Sequence, residues 1–238
     1  NGQADTVGIA FNYNYSGIIQ ALFAAHSGLW YLEGDKIVKG NFTDRYADAL
    51  ALQKTLFEEG LIDKEYITDK NFQKERQLLV TGKAGIYLAG WNIPNEYREL
   101  KQNVPEADLV PLEPVASKYG KFGLFQEPPI HRLVVFNKDM KDPEAAVKFL
   151  DWLIEGNWFD IKFGEEGVHY RLVDGVSQAI DAEKNKKEIG YSGEYAVLDQ
   201  WNPKPEYFPI MAAQDPISQE YAQKQAESLK VAMKNKFR

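Results

Sequence analysis

The sequence predicts an α/β fold in which short apolar strands alternate with amphipathic helices, and three stretches carry that reading. Residues 72–91 place apolar Phe72, Leu79 and Val80 on one helix face, then Gly82, an apolar run over 84–89 and a Gly90-Trp91 turn. Gly82 suits the left-handed residue that closes a helix. The run over 84–89 is too short for a helix and too apolar for a loop, so it is read as a buried strand. Residues 7–11 form a second such strand, followed by a helix capped by Ser16, with Ile18, Ile19, Leu22, Phe23 and Ala25 inward and Gly28 at its end. Asp142-Pro143-Glu144 combines an N-cap, a proline at the first helical position and an acidic first turn.

The remaining elements follow from the same rules. Gly34-Asp35 between β-prone runs marks a hairpin over residues 30–38, with Trp30 expected to pack beneath it. Thr43 caps a helix over 44–59 with the stripe Tyr46, Ala49, Leu50, Leu56 and Phe57; Gly60 ends it, and residues 61–63 are a connector. A helix over 92–100 carries Pro94 in its first turn, where the missing N–H is harmless. Residues 109–112, 119–126 and 133–136 read as strands interrupted by prolines. The helix opened by Asp142 has Ala146, Val147, Phe149, Leu150 and Leu153 for its buried face. Beyond it, 158–163 is helical, 168–173 strand-like, Asp174-Gly175 a turn, 191–209 irregular and 218–234 a polar helix. There is no internal repeat.

The 238 residues suit one large domain or two smaller lobes. A formal charge of −7 argues against a general nucleic-acid binder. The absence of cysteine excludes disulfides, thiolate metal sites and cysteine nucleophiles within these residues. No apolar run approaches the roughly 18 residues of a membrane span. The sequence opens at Asn1-Gly2-Gln3-Ala4-Asp5 with neither a start methionine nor a targeting segment, and is expected to be part of a longer protein. Aromatic content of 13% is high: the plain reading is a large aromatic core that takes most of the rings, and the sharper one is that a minority lines a ligand face, since rings stack on apolar sugar faces.

Several stretches together resemble the extracellular solute-binding proteins of ABC transporters, the maltose-binding-like sugar family and its Gram-positive lipoprotein branch. They are Phe11-Asn12-Tyr13-Asn14-Tyr15 with Gly28-Leu29-Trp30-Tyr31; Leu56-Phe57-Glu58-Glu59-Gly60-Leu61-Ile62-Asp63; residues 72–91; Asn137-Lys138 with Asp142-Pro143-Glu144-Ala145-Ala146-Val147-Lys148-Phe149-Leu150; and Gly164-Glu165-Glu166-Gly167-Val168-His169-Tyr170. Their order, rather than any one of them, carries the likeness, over roughly residues 1–172. It implies a type II periplasmic-binding-protein-like architecture, incomplete in this chain. Residues 1–116 would form the second α/β lobe. Residues 117–238 would hold the hinge crossing and segments that complete a first lobe whose opening strands are absent. The helix from Pro143 must then pack on remaining strands, on the other lobe or on another molecule.

What the resemblance implies for function is capture of a sugar or similar polar solute by lobe closure and delivery to an ABC transporter permease, from a cell-surface lipoprotein. The alternative is a carbohydrate-active enzyme or accessory carbohydrate-binding module. No nucleophile elbow, phosphate loop or metal-binding histidine pair is present in the sequence, so neither catalytic residues nor a cofactor are assigned. Asn1 to Asp5 is similar to the end of a calcium loop in some family members, but is read as a surface turn. Trp91, at a strand's carboxyl end where open α/β sheets bind ligands, is preferred as a stacking ring over core. Asn92 either hydrogen-bonds a hydroxyl-rich ligand or caps the next helix. Tyr13 and Tyr15 are ligand-facing candidates whose commoner role is packing. His131 and Arg132 complete the candidate ligand set; Arg132 either binds an anionic group or pairs with a carboxylate. A metal role for His131 is rejected because His26 and His169 lie at no metal-ligand spacing.

Overall fold

The computed structural model describes residues 5–88, 90, 92–122, 124–125, 133–193 and 204–237. It separates into two units, 1–126 with 227–238, and 127–226. In the first unit β1 (Val7–Phe11) leads through a 3-10 turn at Tyr13–Tyr15 into α1 (Ser16–Leu22). A hairpin follows, β2 (Trp30–Glu33) and β3 (Lys36–Lys39), with Gly34 at φ 60° in its two-residue turn. Next come α2 (Asp44–Glu58), α3 (Gln73–Val80), β4 (Ala84–Leu88) and α4 (Pro94–Asn103). The short strands β5 (Ala116–Ser117) and β6 (Gly120–Lys121) form a hairpin, and β7 (Leu124–Phe125) follows.

β1 and β4 pair in parallel, from Val7 opposite Ala84 to Phe11 opposite Leu88. Two helix ends deliver the chain to β1. At the end of α2, Gly60 N–H donates to Phe57 O (3.1 Å) and Leu61 N–H to Leu56 O (2.9 Å). At the end of α3, Gly82 N–H donates to Leu79 O (2.9 Å) and Lys83 N–H to Leu78 O (2.9 Å). Both are Schellman motifs, and both glycines are left-handed, at φ 72° and 66°. Each motif's final residue then binds β1 through its carbonyl: Leu61 O accepts from Ile9 N–H (2.8 Å) and Lys83 O from Val7 N–H (2.9 Å). The connector at residues 61–62 is thus part of the sheet, with Ile62 bridged to Ile9 in parallel. Phe11, Ile19 and Ile62 are the buried cluster beneath it, with Leu56, Phe57, Tyr66 and Leu88 packed around them. α3 packs on β1, β4 and α4, and α4 buries Tyr97 and Leu100 completely enough to seal that side.

In the second unit Asp142 caps α5 (Pro143–Trp152), its side chain accepting from Ala145 N–H at 2.9 Å. A turn with Gly156 at φ 113° leads to α6 (Trp158–Phe163). β8 (Tyr170–Val173) and β9 (Val176–Ala179) are joined by Asp174 and Gly175, both at positive φ, as a type I′ hairpin turn requires. Phe159 packs on Phe163 (4.6 Å) and Tyr170 (5.6 Å). α7 (Ala182–Glu188), capped by Asp181, and α8 (Tyr207–Met211) follow, and α8 packs on β9. α9 (Pro216–Lys234) begins in this unit and ends in the first, where β10 (Lys236–Phe237) pairs in parallel with β7. There Lys121 and Lys234, each 2.6 Å from Glu113, hold that carboxyl at about 2.

Several expectations are corrected. β4 is not fully buried: Gly85 and Ile86 are exposed, because it forms one side of a narrow sheet among the described residues. Trp30 is 66% exposed rather than beneath its hairpin, whose outer face also shows Leu32 and Ile37. α1 stops at Leu22 because Ala24 turns the chain at φ 50°, well before Gly28. Ser16 is the first helical residue rather than a cap, and the Thr43 hydroxyl donates to Gly40 O (2.7 Å) instead of capping α2. Residues 109–112 and 133–136 form no strand, and the strands inside 119–126 are two residues each. Of the face assigned to α5, only Leu153, just past its end, is buried; Val147 and Phe149 are exposed, with Phe149 stacked on Trp152 at 5.9 Å. No sheet covers that face among the described residues of its unit. The 191–209 stretch contains the start of α8, and residues 194–203 lie outside the described set.

Replacing either Schellman glycine by alanine forces a Cβ into the left-handed region, at a cost of about 1–2 kcal/mol. Gly82→Ala is expected to destabilise more than Gly60→Ala, since its Cβ would meet Val104 Cγ2 at 3.0 Å whereas Gly60 has open space. Gly193→Ala, in open space without positive φ, should stay within about 0.5 kcal/mol of the parent. Urea unfolding checks the order.

Candidate functional site

The carboxyl ends of β1 and β4 lie side by side, because their registers keep step to Phe11 and Leu88. Asn12, directly after β1, is 2% exposed. Its Oδ1 accepts from Asn14 N–H (3.0 Å), which sets the 3-10 turn, and its Nδ2 donates to Asp69 O. That turn presents Tyr13, 57% exposed, and Tyr15, half-buried against Phe72 at 5.7 Å. A Cβ on Gly90, beyond β4, would lie 3.8 Å from the Tyr15 hydroxyl. Tyr66 backs the arrangement, its ring tilted against Phe11 at 5.3 Å and against Phe57 at 6.0 Å. Burial raises the Tyr66 phenol above its usual value.

Asp69 organises the other wall. Its carboxylate accepts from Gln73 N–H (3.0 Å) and Glu75 N–H (3.1 Å), satisfying two of the free donors at the start of α3. The N-cap position itself belongs to Phe72, which is left-handed at φ 57° and contributes no side-chain cap. One residue therefore ties α3 to Asn12.

Glu75, on the first turn of α3, is 3% exposed, and neither carboxyl oxygen makes a hydrogen bond. Burial pushes its carboxyl up to about 7, and the Asp69 charge adds to that rise. The Tyr87 hydroxyl of β4 opposes it without reaching full hydrogen-bond geometry. Tyr87 is itself raised, first by burial, then by the charges of Glu75 and Glu96.

Of the residues singled out from sequence, Tyr13 and Tyr15 are brought together on one turn. Asn92 is exposed two residues before Pro94, and the N-cap position of α4 is Ile93. Trp91, His131 and Arg132 lie outside the described residues. Sequence reasoning missed Asp69 and Glu75. An aspartate a few residues ahead of a helix was an available signal for the first; nothing in a charged first turn distinguishes a buried glutamate from a solvated one. At the opposite, amino-terminal end of the same strands lies a concavity of about 390 Å³ lined by Asp5, Val7, Asp63, Lys74 and Lys83 among others. Its charges already satisfy one another: Lys83 is 2.9 Å from Asp5, and Lys74 is 3.9 Å from Asp63 and 3.6 Å from Glu65. It presents no unmet polar group comparable with Glu75.

The chain is 30% identical over 174 residues to an uncharacterized protein in the butB 5′ region of Niallia circulans, covering 72% of this chain and 67% of that one. The chain belongs to that protein's family. It is also 26% identical over 223 residues to the lipoprotein LipO of Bacillus subtilis (strain 168), covering 87% of this chain and 44% of LipO. Among solved structures, the alginate-binding protein AlgQ2, crystallised without calcium ion, matches with a TM-score of 0.60 at 19% identity, over 96% of this chain and 48% of its own. The chain thus spans about half the length of LipO and AlgQ2. No family model matches. The fold is α/β, of the solute-binding-protein type.

Asp69→Ala is expected to lower stability by about 1 kcal/mol at pH 5, since both α3 donors lose their acceptor. Amide exchange at Gln73 and Glu75 should quicken with it, while amides of α2 keep their protection.

Proposed function

We propose that this chain is the solute-capturing part of an extracellular binding protein that takes up a carbohydrate or similar polar solute and hands it to an ABC transporter permease. The observation that carries the proposal is the turn bearing Tyr13 and Tyr15 at the carboxyl ends of β1 and β4, on a fold shared with an alginate-binding protein. Ligands of open α/β sheets bind beyond the strands' carboxyl ends. The exposed Tyr13 and the half-buried Tyr15 there suit the apolar faces of sugar rings, and the exposed Asn92 amide suits their hydroxyls. The relation to LipO supports a cell-surface lipoprotein. In this reading Tyr13, Tyr15, Trp91, Asn92, His131 and Arg132 are the ligand-facing set. The reading is non-enzymatic. Capture by lobe closure follows from it: a solute shifts an open–closed equilibrium by its differential contacts with the two states.

A thermal-shift screen of the full-length protein against neutral and uronate oligosaccharides tests the proposal, since tight binding raises apparent stability by mass action. At least one sugar should give a saturable upward shift and emerge chemically unchanged. Tyr13→Ala and Trp91→Ala should each weaken that sugar about tenfold or more; for the exposed Tyr13, stability should change by no more than about 0.5 kcal/mol. A panel with no shift, or a sugar converted to product, would contradict the proposal.

A further inference from the structure

We propose that Glu75 is a proton-operated latch: protonated, it lets the segment carrying Asp69 and Phe72 stay docked on the carboxyl ends of β1 and β4; ionised, it drives that segment off. The Glu75 side chain is nearly sealed from solvent, with both oxygens unbonded. An ionised carboxylate in that state lacks the hydrogen bonds that make burial tolerable. The groups facing it act in opposite directions: the Tyr87 hydroxyl of β4, itself near Glu96 of α4 and Tyr15, favours the ionised form short of full hydrogen-bond geometry, while Asp69 adds a like charge from the preceding segment. The cations beside Glu75 in sequence are engaged elsewhere: Lys74 lies near Asp63 and Glu65, and Arg76 pairs with Glu96 and Glu99. Asp69 is also the residue that holds the start of α3 and accepts from Asn12. Repulsion between the two carboxylates therefore acts on the joint between α3 and the turn bearing Tyr13 and Tyr15.

The sign follows from linkage. A carboxyl with a folded-state value of about 7 against an ordinary 4.5 contributes stability that is fully present below 4.5 and is lost as the pH rises through about 7. Opening that returns Glu75 to water becomes up to roughly three-hundredfold more favourable across that window, about tenfold per pH unit, and levels off above it. The latch stands on this geometry whether or not the site binds a sugar.

The test is amide hydrogen exchange on the full-length protein, corrected for intrinsic rates, at pH 5, 6, 7 and 8. In the parent, protection of the Gln73 and Glu75 amides should fall at least about tenfold between pH 5 and 7 and flatten by pH 8, while α2 amides stay level. In Glu75→Gln, which cannot ionise, the profile should be flat. If that variant fails to fold, a carbon-13 NMR titration of the Glu75 carboxyl in the parent decides, with a midpoint near 7 supporting the latch. A pH-independent parent profile, a slope that survives in Glu75→Gln, or a midpoint near 4.5 overturns it.

Discussion

The first unit depends on two glycine-terminated helix ends that grip one strand. A Schellman motif turns the chain sharply and leaves its last residue extended. Here the last residues are Leu61 and Lys83, and their carbonyls accept from Ile9 and Val7 of β1. The grip is close: a Cβ on Gly8 would meet Leu61 O at 3.2 Å. β4 pairs with β1 in parallel and Ile62 bridges β1 in parallel on the other side, so the carboxyl ends of β1 and β4 open on the same side. Burial of Phe11, Ile19 and Ile62 then follows from that geometry.

What lies beyond those carboxyl ends is set by side chains that serve the backbone first. Asn12 and Asp69 use their polar atoms to fix a 3-10 turn and a helix start, and in doing so they place Tyr13, Tyr15 and Phe72. The same economy leaves the Glu75 carboxyl short of a full hydrogen bond, since the cations nearest to it in the chain are committed elsewhere.

Much of this frame was legible because its signals are local. Gly60 and Gly82 announce their helix ends, Gly34 and Asp174-Gly175 their hairpins, and Asp142-Pro143 the start of α5; each states a backbone requirement that few other residues meet. Strands judged by apolarity alone fared worse. Residues 109–112 and 133–136 have the composition of strands yet pair with no strand among the described residues, and a strand exists only by pairing. The exposure of Trp30 and of the α5 face was likewise hidden, because amphipathic spacing says which face is apolar and not what covers it. Of the candidate site, the tyrosine turn was visible as a pattern. The acidic pair behind it was not, because burial of Glu75 is a tertiary property of α3, α4 and β4 together.

The proposed site for the solute is the carboxyl ends of β1 and β4, rather than the concavity at their amino ends. The most direct test is an amide NMR titration of the full-length protein with a sugar that raises its melting temperature. Shift changes concentrated at residues 12–15, 66–72 and 87–92 are the predicted result. Changes concentrated at residues 5–7, 63 and 74–83 would contradict it.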